Sequence, residues 1–394
     1  MSSHNWTTTE GEVFRKTMRL LFVIDCLGSG GAQRQMVNLA LGLTRRGHEA
    51  EFLVYHPQHD HFAPFLCEAG IPVHRRPKRW RFSLAPVREL CRLAKERHYD
   101  AMLAFLATPS LYAEIARIRT WGLPLIVSER FMYTSDSLPV ATWMLQQAHR
   151  LADHITVNSH HQRHRMEQMF PWMGGKLTTI YNGVDLAEFT PPGNSTEDSG
   201  RLRLLVLSSV VPKKNVVGLV RALARYRELY GSPCVVRWAG KVTSDAVSQK
   251  EFSDANRLLS EWALRDQWEW LGERRDIPEL LRSHDALIHP AFYEGLPNAV
   301  CEALACGRPV LASAVCDHPR LVQEGATGFL FDPASPDQIA HTIHRCDLLT
   351  AEERMLMGRN ARQYAEKELS IDTYSSRYEE LLSSLTPSAS SRSF

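Results

Sequence analysis

Two glutamates bracket a turn and a helix start in the stretch PAFYEGLPNAVCEALACGRP, residues 290–309. Glu294 precedes the Gly-Leu-Pro turn, and Glu302 lies eight positions later, inside the predicted helix. The free N–H groups and the dipole of a helix N-terminus favour an anion such as phosphate. A carboxylate offers two acceptor oxygens, so Glu302 suits a vicinal diol such as ribose, and Glu294 suits hydroxyls of a group attached to the phosphate. A solvated helix position is the alternative for Glu302, and its apolar neighbours disfavour it.

Proline and glycine mark the two ends of this helix. We expect Pro297 in the first helical turn, where its missing N–H costs nothing. An end at Ala305 with Gly307 just beyond it is then natural. The N–H groups of Asn298 and Ala299 would point into a ligand site.

Short apolar runs alternate with helix-like segments along the chain, which predicts parallel sheets with helices on both faces. The alternation stops at TPPGNSTEDSG (190–200), which has the composition of a linker, and then restarts. The pattern predicts two doubly wound, Rossmann-like domains, over 18–189 and 201–370. A C-terminal helix over 371–386 can cross back to the first domain, and 387–394 is expected to be a disordered tail. Because ligands of such sheets bind at the carboxyl ends of the strands, the site is expected in a cleft between the domains.

Composition and charge exclude some classes of protein. Apolar residues make up 44% and charged residues 23%, which is typical of a globular protein. A formal net charge of +2 gives no global field that favours nucleic acid, and none is expected as a partner. The eight cysteines form no Cys-x-x-Cys pair, which indicates reduced thiols in a cytosolic protein. No apolar run of about 18 residues and no signal-peptide core occur, so no membrane span is expected.

Several motifs together resemble those of retaining glycosyltransferases of family 4, which have the two-domain GT-B fold. The opening stretch resembles their E-x7-E signature, which alone would be a weak match. Further matches are FVIDCLGSGGAQR (22–34), YNGVD (181–185), LGERRDIPELL (271–281) and EGATGFLFDP (324–333). The resemblance covers nearly the whole chain. It implies an α/β fold of two Rossmann-like domains that face each other across a cleft.

The resemblance assigns the donor site to the second domain. Glu302 is expected to bind the ribose of a nucleotide sugar, Glu294 the hydroxyls of the donor sugar, and Lys214 the diphosphate. Glu294 and Lys214 are the expected catalytic residues. A lysine suits this role because the leaving nucleoside diphosphate gains charge in the transition state; a solvated lysine is the alternative. The other expected donor-binding residues are Lys213, Gly240, Arg275, Gly295, Leu296, Pro297 and Asn298.

One departure from the family pattern concerns the phosphate site. The family usually has an arginine five positions before the lysine, and this chain has Ser209 there. Lys213, Arg130 or Arg275 could compensate for the missing cation. Weaker phosphate binding is the other outcome.

A glycine loop, Gly28–Gly31, follows the first predicted strand and opens a helix. It resembles a dinucleotide fingerprint, but Gln33 stands at the third glycine and no acidic residue ends the second strand, so nicotinamide is not expected. The resemblance implies that Gly30 and Gly31 let the first domain approach the donor diphosphate or the acceptor. Gln33 and Arg34 are expected at the rim of this loop.

The triplet Ser128-Glu129-Arg130 stands where the family often has a histidine near the donor sugar. Part of the family shares this triplet. Glu129 and Arg130 are therefore predicted to contact the acceptor or the donor. Ion pairs between them and their neighbours are the alternative.

The sequence favours transfer without a metal ion or other cofactor. No Asp-x-Asp pair, which holds a divalent ion on the diphosphate in other sugar transferases, occurs in the chain. A lysine and a helix N-terminus are available instead. The histidine-rich run HHQRHR (160–165) leaves metal binding as the weaker alternative to a solvated or phosphate-facing helix start, because no carboxylate or cysteine is placed to complete a site.

A basic and aromatic patch, HRRPKRWRF, covers residues 74–82 of the first domain. Five cations beside Trp80 and Phe82 suit anionic lipid headgroups, so peripheral contact with an anionic membrane is one prediction. Stacking on RNA bases and a simple solvated loop are the alternatives. The protein is expected in the cytoplasm, where it can lie on the inner face of the cell membrane.

The predicted function is retaining transfer of a sugar from a nucleotide sugar, with a UDP-sugar favoured and GDP-mannose second. The predicted acceptor is a glycan or a polyprenyl-diphosphate-linked sugar, in bacterial surface polysaccharide or lipopolysaccharide biosynthesis. A non-catalytic GT-B scaffold that binds sugar nucleotides is the alternative, and Ser209 motivates it. A phosphorylase-like enzyme would need a lysine for pyridoxal phosphate, and no sequence feature supports one.

Overall fold

Two parallel sheets organise the protein. The computed structural model describes residues 17–78, 80, 83–120, 122–130, 138–193, 200–232 and 234–386. Across these residues the strands form one sheet of seven strands and one of six, which we call the first sheet and the second sheet. The predicted tail (387–394) and the middle of the predicted linker (194–199) lie outside the described residues.

The first sheet is built from the N-terminal part of the chain. Its strands are β1 (Arg19–Ile24), β2 (Glu49–Val54), β3 (Val73–Arg75), β4 (Ala101–Phe105), β5 (Leu125–Glu129), β6 (His154–Val157) and β7 (Leu177–Thr179). They lie in the order β3-β2-β1-β4-β5-β6-β7, and all neighbours pair in parallel. The strand order therefore reverses between β1 and β4, and a crevice at this position is where open α/β sheets bind ligands.

Helices cover both faces of the first sheet. They are α1 (Gly31–Arg45), α2 (Ala63–Glu68), α3 (Ala85–Arg97), α4 (Ala107–Arg117), α5 (Val140–Ala148) and α6 (His160–Met169). In α1 the buried residues Met36, Leu39, Ala40 and Leu43 recur at helical spacing and share a core with the central strand β1. Consecutive residues of β1 are buried, as expected for a strand that helices cover on both sides.

The second sheet repeats the same architecture. Its strands are β8 (Leu202–Leu207), β9 (Cys234–Ala239), β10 (Trp268–Gly272), β11 (Ala286–His289), β12 (Val310–Ser313) and β13 (Gly328–Phe331), in the order β10-β9-β8-β11-β12-β13. The helices of this part are α7 (Val216–Tyr230), α8 (Ala246–Glu261), α9 (Ile277–Ser283), α10 (Asn298–Ala305), α11 (His318–Leu321), α12 (Pro336–Asp347) and α13 (Ala351–Glu368). Short 3-10 helices cover His149–Leu151, Pro171–Lys176, Pro212–Lys214 and Arg265–Gln267.

The last helix, α14 (Ile371–Leu385), packs against the first sheet and α1. Its Tyr374, Tyr378 and Leu382 share the hydrophobic core of β1 and α1. The contact with α1 is close, because a Cβ on Gly42 would lie 2.0 Å from the Ser375 Oγ. A salt bridge of 2.6 Å between Arg46 and Glu379 links the same two helices. The C-terminal helix of the chain is therefore part of the N-terminal core.

The predicted α/β class, with two Rossmann-like doubly wound domains, is confirmed. The physical basis is the one that the sequence shows, namely apolar strand runs that alternate with amphipathic helices. Within the described parts of the chain, no helix is long and apolar enough to cross a bilayer.

Candidate active site

A cavity of about 620 Å³ lies between the two domains, at the carboxyl ends of β1, β8 and β11. The first domain contributes Ser29, Gly31 and Arg34 to its lining. The second domain contributes Leu207, Ser209, Lys214, Ile277, His289, Glu294, Leu296, Pro297, Asn298, Ala299 and Glu302. The structure thus brings both glutamates of the E-x7-E stretch, the predicted phosphate lysine and part of the glycine loop to one cavity.

The start of α10 forms one wall of this cavity. The helix begins at Asn298, one residue later than predicted, because Pro297 has an extended ψ of 105° while its carbonyl already accepts from Val300 (3.1 Å) and Cys301 (3.3 Å). Pro297 is therefore the N-cap and not part of the first turn. The far end agrees with the prediction, since Gly307 lies just past the helix with a φ of +60°.

Several backbone N–H groups at this helix start are free for a ligand. Within the described residues, the backbone N–H groups of Gly295, Leu296, Asn298 and Ala299 donate to no acceptor. Leu296, Asn298 and Ala299 line the cavity. Free N–H groups at the positive end of a helix dipole form an anion site that suits phosphate.

Lys214 and Glu294 form an ion pair at the cavity wall, which we call the lysine pair. The Lys214 Nζ donates to the Glu294 Oε1, and the two side chains are 15% and 11% exposed. Burial and the neighbouring Lys213 lower the pKa of Lys214 to about 7, while the adjacent carboxylate opposes this shift by favouring the charged form. A bound diphosphate would favour the charged ammonium in the same way.

Glu302 and Arg34 form a second ion pair, which joins the two domains across the cavity. We call it the arginine pair. The Arg34 Nη1 lies 2.9 Å from the Glu302 Oε1, with side chains that are 42% and 11% exposed. Burial raises the pKa of Glu302, and Arg34 opposes that rise. Because Arg34 belongs to the first turn of α1, its N–H donates to the Gly30 carbonyl at 3.0 Å. The sequence predicted both residues as site residues but not their contact.

His289 lines the cavity and was not among the predicted site residues. It ends the buried strand β11, and within the described residues neither ring nitrogen has a hydrogen-bond partner. Its Nε2 lies 3.6 Å from the Glu294 Oε1. Burial, with Lys214 nearby, lowers its pKa well below the usual range, so the ring is neutral. A polar residue at the carboxyl end of a buried strand was the signal available in the sequence.

The glycine loop brings the first domain close to α10. A Cβ on Gly31 would lie 3.2 Å from the Asn298 Nδ2, so the backbone of the loop comes close to the start of α10. Gly30 is the N-cap of α1, and a Cβ there would lie 2.2 Å from the Gln33 Oε1. The Gln33 side chain donates back to the Asp25 Oδ1 at 2.9 Å and does not line the cavity. The Gln33 side chain is therefore held by Asp25, and a ligand contact at the rim of the loop stays a prediction.

Arg130 supports the helix start through Asn182 and does not line the cavity. Its Nη1 donates to the Asn182 Oδ1, and the Asn182 Nδ2 donates to the Asn298 Oδ1 at 2.7 Å. The guanidinium also stacks 4.2 Å from the centroid of Phe105 and donates to the Tyr374 hydroxyl at 3.1 Å. These partners are uncharged, so the contacts are not the ion pairs of the alternative, and a ligand contact by Arg130 stays a prediction.

Glu129 belongs to a buried group with Glu114 and His149, which we call the histidine cluster. The His149 Nε2 lies 3.1 Å from Glu129, and its Nδ1 lies 2.5 Å from Glu114. Burial alone would lower the pKa of His149, but the hydrogen bonds to Glu114 and Glu129 raise it to about 10. Burial raises the pKa of Glu114. Glu129 is away from the cavity, as in the alternative that the sequence left open.

Four predicted donor-binding residues do not line the cavity, and their roles stay predictions: Lys213, Gly240, Arg275 and Gly295. The Lys213 Nζ lies 5.6 Å from the centroid of the Tyr293 ring. Arg275 is exposed on the loop after β10. Gly240 is required by packing, because a Cβ there would lie 1.7 Å from the Ser208 carbonyl oxygen.

The histidine-rich run forms the start of α6 and contacts the second domain. The N–H groups of His160 and His161 each donate to the Asp317 carboxylate at 2.7 Å, and the Tyr181 hydroxyl donates to it at 2.9 Å. This helix start therefore binds a carboxylate of the protein, which corrects the expectation of a solvated or phosphate-facing one. Among the described residues, no group of three His, Cys, Asp or Glu side chains is placed to hold a metal ion.

The described residues of the basic patch, 74–78 and 80, do not line the cavity. Trp80 is 75% exposed and Arg75 and Arg76 are exposed, while Lys78 lies over the Tyr55 ring at 5.6 Å. The remaining members Arg79, Arg81 and Phe82 lie outside the described residues.

Family comparisons agree with the fold and the cavity. Residues 29–188 match the family model "Glycosyltransferase Family 4" and residues 192–364 match "Glycosyl transferases group 1". Together the matches cover almost all of the chain between residues 29 and 364. The chain therefore belongs to the GT-B glycosyltransferases of families 1 and 4, and the fold that the resemblance implied is confirmed.

Individual relatives are distant. The chain is 26% identical over 258 residues to a D-inositol 3-phosphate glycosyltransferase of Thermobifida fusca, covering 58% of this chain and 57% of the relative. It is 30% identical over 119 residues to the lipopolysaccharide glucosyltransferase WaaG of Escherichia coli K12, covering 30% of this chain and 31% of that one. The chain spans 17% to 57% of the length of the curated relatives it matches.

Among solved structures, Anabaena HepE in complex with UDP-glucose superposes with a TM-score of 0.77 at 22% identity. The superposition covers 93% of this chain and 100% of HepE. This similarity shows a shared fold.

Proposed function

We propose that this protein transfers a sugar from a nucleotide sugar to a hydroxyl group of a glycan or of a polyprenyl-diphosphate-linked sugar. The observation that carries the proposal is the set of free N–H groups of Leu296, Asn298 and Ala299, residues that line the same cavity as Lys214 and Glu302. A helix start and a lysine suit a diphosphate. A buried carboxylate farther along the same helix suits the ribose that is attached to it.

The donor lies along α10 in this proposal. The diphosphate is bound by the helix start and Lys214, the ribose by Glu302, and the hydroxyls of the donor sugar by Glu294. The acceptor approaches from the first domain. Each side chain already lines the cavity, so no large rearrangement is needed to form these contacts.

The proposed reaction retains the anomeric configuration and uses no metal ion. The bond between C1 of the sugar and the diphosphate oxygen breaks, and the acceptor oxygen attacks C1 from the same face. The acceptor proton passes to the leaving phosphate oxygen, so neither a protein nucleophile nor a protein base is required. The helix start and Lys214 stabilise the charge that develops on the leaving group.

A UDP-sugar is the favoured donor and GDP-mannose the second. Two relatives support a glucosyl donor: the Anabaena neighbour was solved with UDP-glucose, and the E. coli relative is a lipopolysaccharide glucosyltransferase. The E. coli relative also supports the proposal that the protein acts in bacterial surface polysaccharide or lipopolysaccharide biosynthesis. Its exposed patch around Trp80 fits a cytoplasmic protein in peripheral contact with an anionic membrane.

A panel of nucleotide sugars tests the proposal. We expect one donor to raise the melting temperature, since a ligand that binds the folded state stabilises it by mass action. The same donor should release its nucleoside diphosphate in the presence of EDTA when an acceptor is supplied. Stabilisation without any release or transfer would instead support the non-catalytic scaffold, which Ser209 in the cavity wall favours. No shift with any nucleotide sugar would contradict both.

Co-sedimentation with vesicles tests the membrane contact. Binding is expected with vesicles that contain phosphatidylglycerol and should weaken with salt and with the substitution Trp80→Ala. Vesicles of neutral phosphatidylcholine are the control. Equal binding to both would contradict an electrostatic contact.

A further inference from the structure

Two cations of the described residues line the cavity, and each is paired with a carboxylate. Among Lys and Arg side chains in the described parts of the chain, Arg34 and Lys214 are the ones that line it. Arg34 contacts Glu302 and Lys214 contacts Glu294. The carboxylates are the groups to which the proposed function assigns the ribose and the sugar, and the cations remain for the diphosphate.

We propose that Arg34 is the second cation of the diphosphate site, supplied by the first domain and held by Glu302 until a donor binds. This inference rests on the proposed function and adds a named ligand to it. The ribose hydroxyls then take up the oxygens of Glu302, and the guanidinium turns to the diphosphate.

The position of Arg34 supports this role. It lies on the first turn of α1, and the same turn approaches the start of α10, since a Cβ on Gly31 would lie 3.2 Å from the Asn298 Nδ2. The Arg34 side chain lines the same cavity as Leu296, Asn298 and Ala299, whose N–H groups are free. Ser209, which is short and uncharged, lines the second-domain wall and leaves the phosphate site without a further cation on that side.

The exposure of the two side chains also fits an exchange of partners. Glu302 is largely buried and fixed on a helix, whereas Arg34 is 42% exposed and can change rotamer. A guanidinium binds phosphate oxygens through two parallel hydrogen bonds, which are stronger than the single contact it makes with Glu302. Each phosphate of the donor brings its own negative charge, so one lysine alone leaves the diphosphate undercompensated.

The other cations that were considered for the phosphate site have other contacts or do not line the cavity. Arg130 is held by Asn182, the Phe105 ring and Tyr374, outside the cavity. Lys213 lies over the Tyr293 ring, and Arg275 does not line the cavity.

The experiment compares nucleoside diphosphate and monophosphate binding by calorimetry. UDP and GDP are titrated into the full-length wild type, and the one that binds is used with its matching monophosphate. For Arg34→Gln we expect roughly tenfold to hundredfold weaker diphosphate binding, as for the loss of a hydrogen bond between charged groups. The loss should be smaller for the monophosphate, and Arg34→Lys should lie between wild type and Arg34→Gln. Arg257→Gln is the matched control, expected within about threefold of wild type, because Arg257 is exposed, pairs with Glu261 at 2.9 Å and does not line the cavity.

A second experiment, in the Glu302→Gln variant, tests whether Arg34 binds the phosphates or only neutralises the charge of Glu302. In Glu302→Gln, whose weaker binding can be followed by ligand-observed NMR, adding Arg34→Gln should still weaken diphosphate binding. The inference is overturned if that second loss disappears, if Arg34→Gln binds the diphosphate like wild type, or if it weakens monophosphate and diphosphate equally. If wild type binds neither UDP nor GDP, the proposed function itself fails, which is a distinct result.

Discussion

The histidine cluster and the lysine pair both combine carboxylates with a cation, but they differ in their access to a ligand. This difference distinguishes a group that stabilises the fold from one that belongs to the candidate site. The histidine cluster, Glu114, Glu129 and His149, has side chains that are 1% to 3% exposed. The lysine pair, Lys214 and Glu294, is 15% and 11% exposed and faces the cavity. The first group is sealed inside one domain, and the second is open to a ligand.

The two groups also show how neighbours decide the charge of a histidine. His149 lies between two carboxylates, and their hydrogen bonds raise its pKa to about 10 despite burial. His289 is equally buried, but its neighbours include Lys214, and its pKa falls well below the usual range. A charged His149 stabilises the fold, whereas a neutral His289 leaves Glu294 to pair with Lys214 and with a ligand. Burial alone does not identify a functional site; access and the sign of the neighbouring charge do.

The largest effect is expected from breaking the histidine cluster. His149→Ala removes the cation and leaves two carboxylates buried, which should lower the free energy of unfolding by about 3–5 kcal/mol. Urea denaturation measures this loss. Activity per folded molecule should remain, because the cluster does not line the cavity.

The control for this variant is His154→Ala. His154 is partly buried and contacts the uncharged Thr178 hydroxyl at 2.8 Å, so its loss should be about 1 kcal/mol. Equal destabilisation of the two variants would show that the charge network is not the cause. Loss of turnover in folded His149→Ala would bring Glu129 back as a site residue.

The second-largest effect is expected from a substitution in the lysine pair. Lys214→Ala should lower kcat by roughly a hundredfold to a thousandfold, the scale of removing one group that stabilises charge in a transition state. Stability should change little, since the substitution also relieves the burial of a lysine. Steady-state kinetics with saturating donor measure it, and Lys250→Ala, at an exposed lysine that does not line the cavity, serves as the control. Normal turnover in Lys214→Ala would refute the assignment of the phosphate site.

A smaller effect is expected from Glu302→Gln. The substitution keeps the shape but removes the charge that binds ribose hydroxyls and Arg34, so donor binding should weaken roughly tenfold to hundredfold. The change should appear mainly in the KM for the donor. Asp285→Asn is a useful contrast, because Asp285 forms a partly buried ion pair with Arg203 at 3.0 Å away from the cavity. That variant should lose stability and keep its KM.

The fold and the part of the cavity wall that the second domain forms could be predicted from the sequence, and the reasons are physical. Strand and helix periodicity depends on local burial, so the two sheets followed directly from it. The residues from Glu294 to Glu302 share one turn and one helix, so their relative placement is set by local geometry. The helix start was wrong by one residue, because Pro297 adopts an extended ψ that a residue type does not specify.

Contacts between segments that are far apart in the chain could not be predicted from the sequence. Arg34 and Glu302 are 268 positions apart, and their pairing depends on how the two domains meet. Glu129 and Arg130 are adjacent in the chain, yet one joins the histidine cluster and the other binds Asn182. Successive residues at the end of a strand point in opposite directions, so a motif that names both cannot place both at one site.

The smallest expected effect is in the pH dependence of stability, which tests the contrast between His149 and His289. His149 has a folded-state pKa raised to about 10, against about 6.5 in the unfolded chain. Its contribution is therefore complete below pH 6.5 and is lost as the pH rises through 10, at about 1.4 kcal/mol for each pH unit in between. The free energy of unfolding, measured from pH 7 to pH 9, should fall more steeply in wild type than in His149→Ala. Parallel curves would mean that His149 is uncharged in the folded protein, and the histidine cluster would then resemble His289 rather than contrast with it.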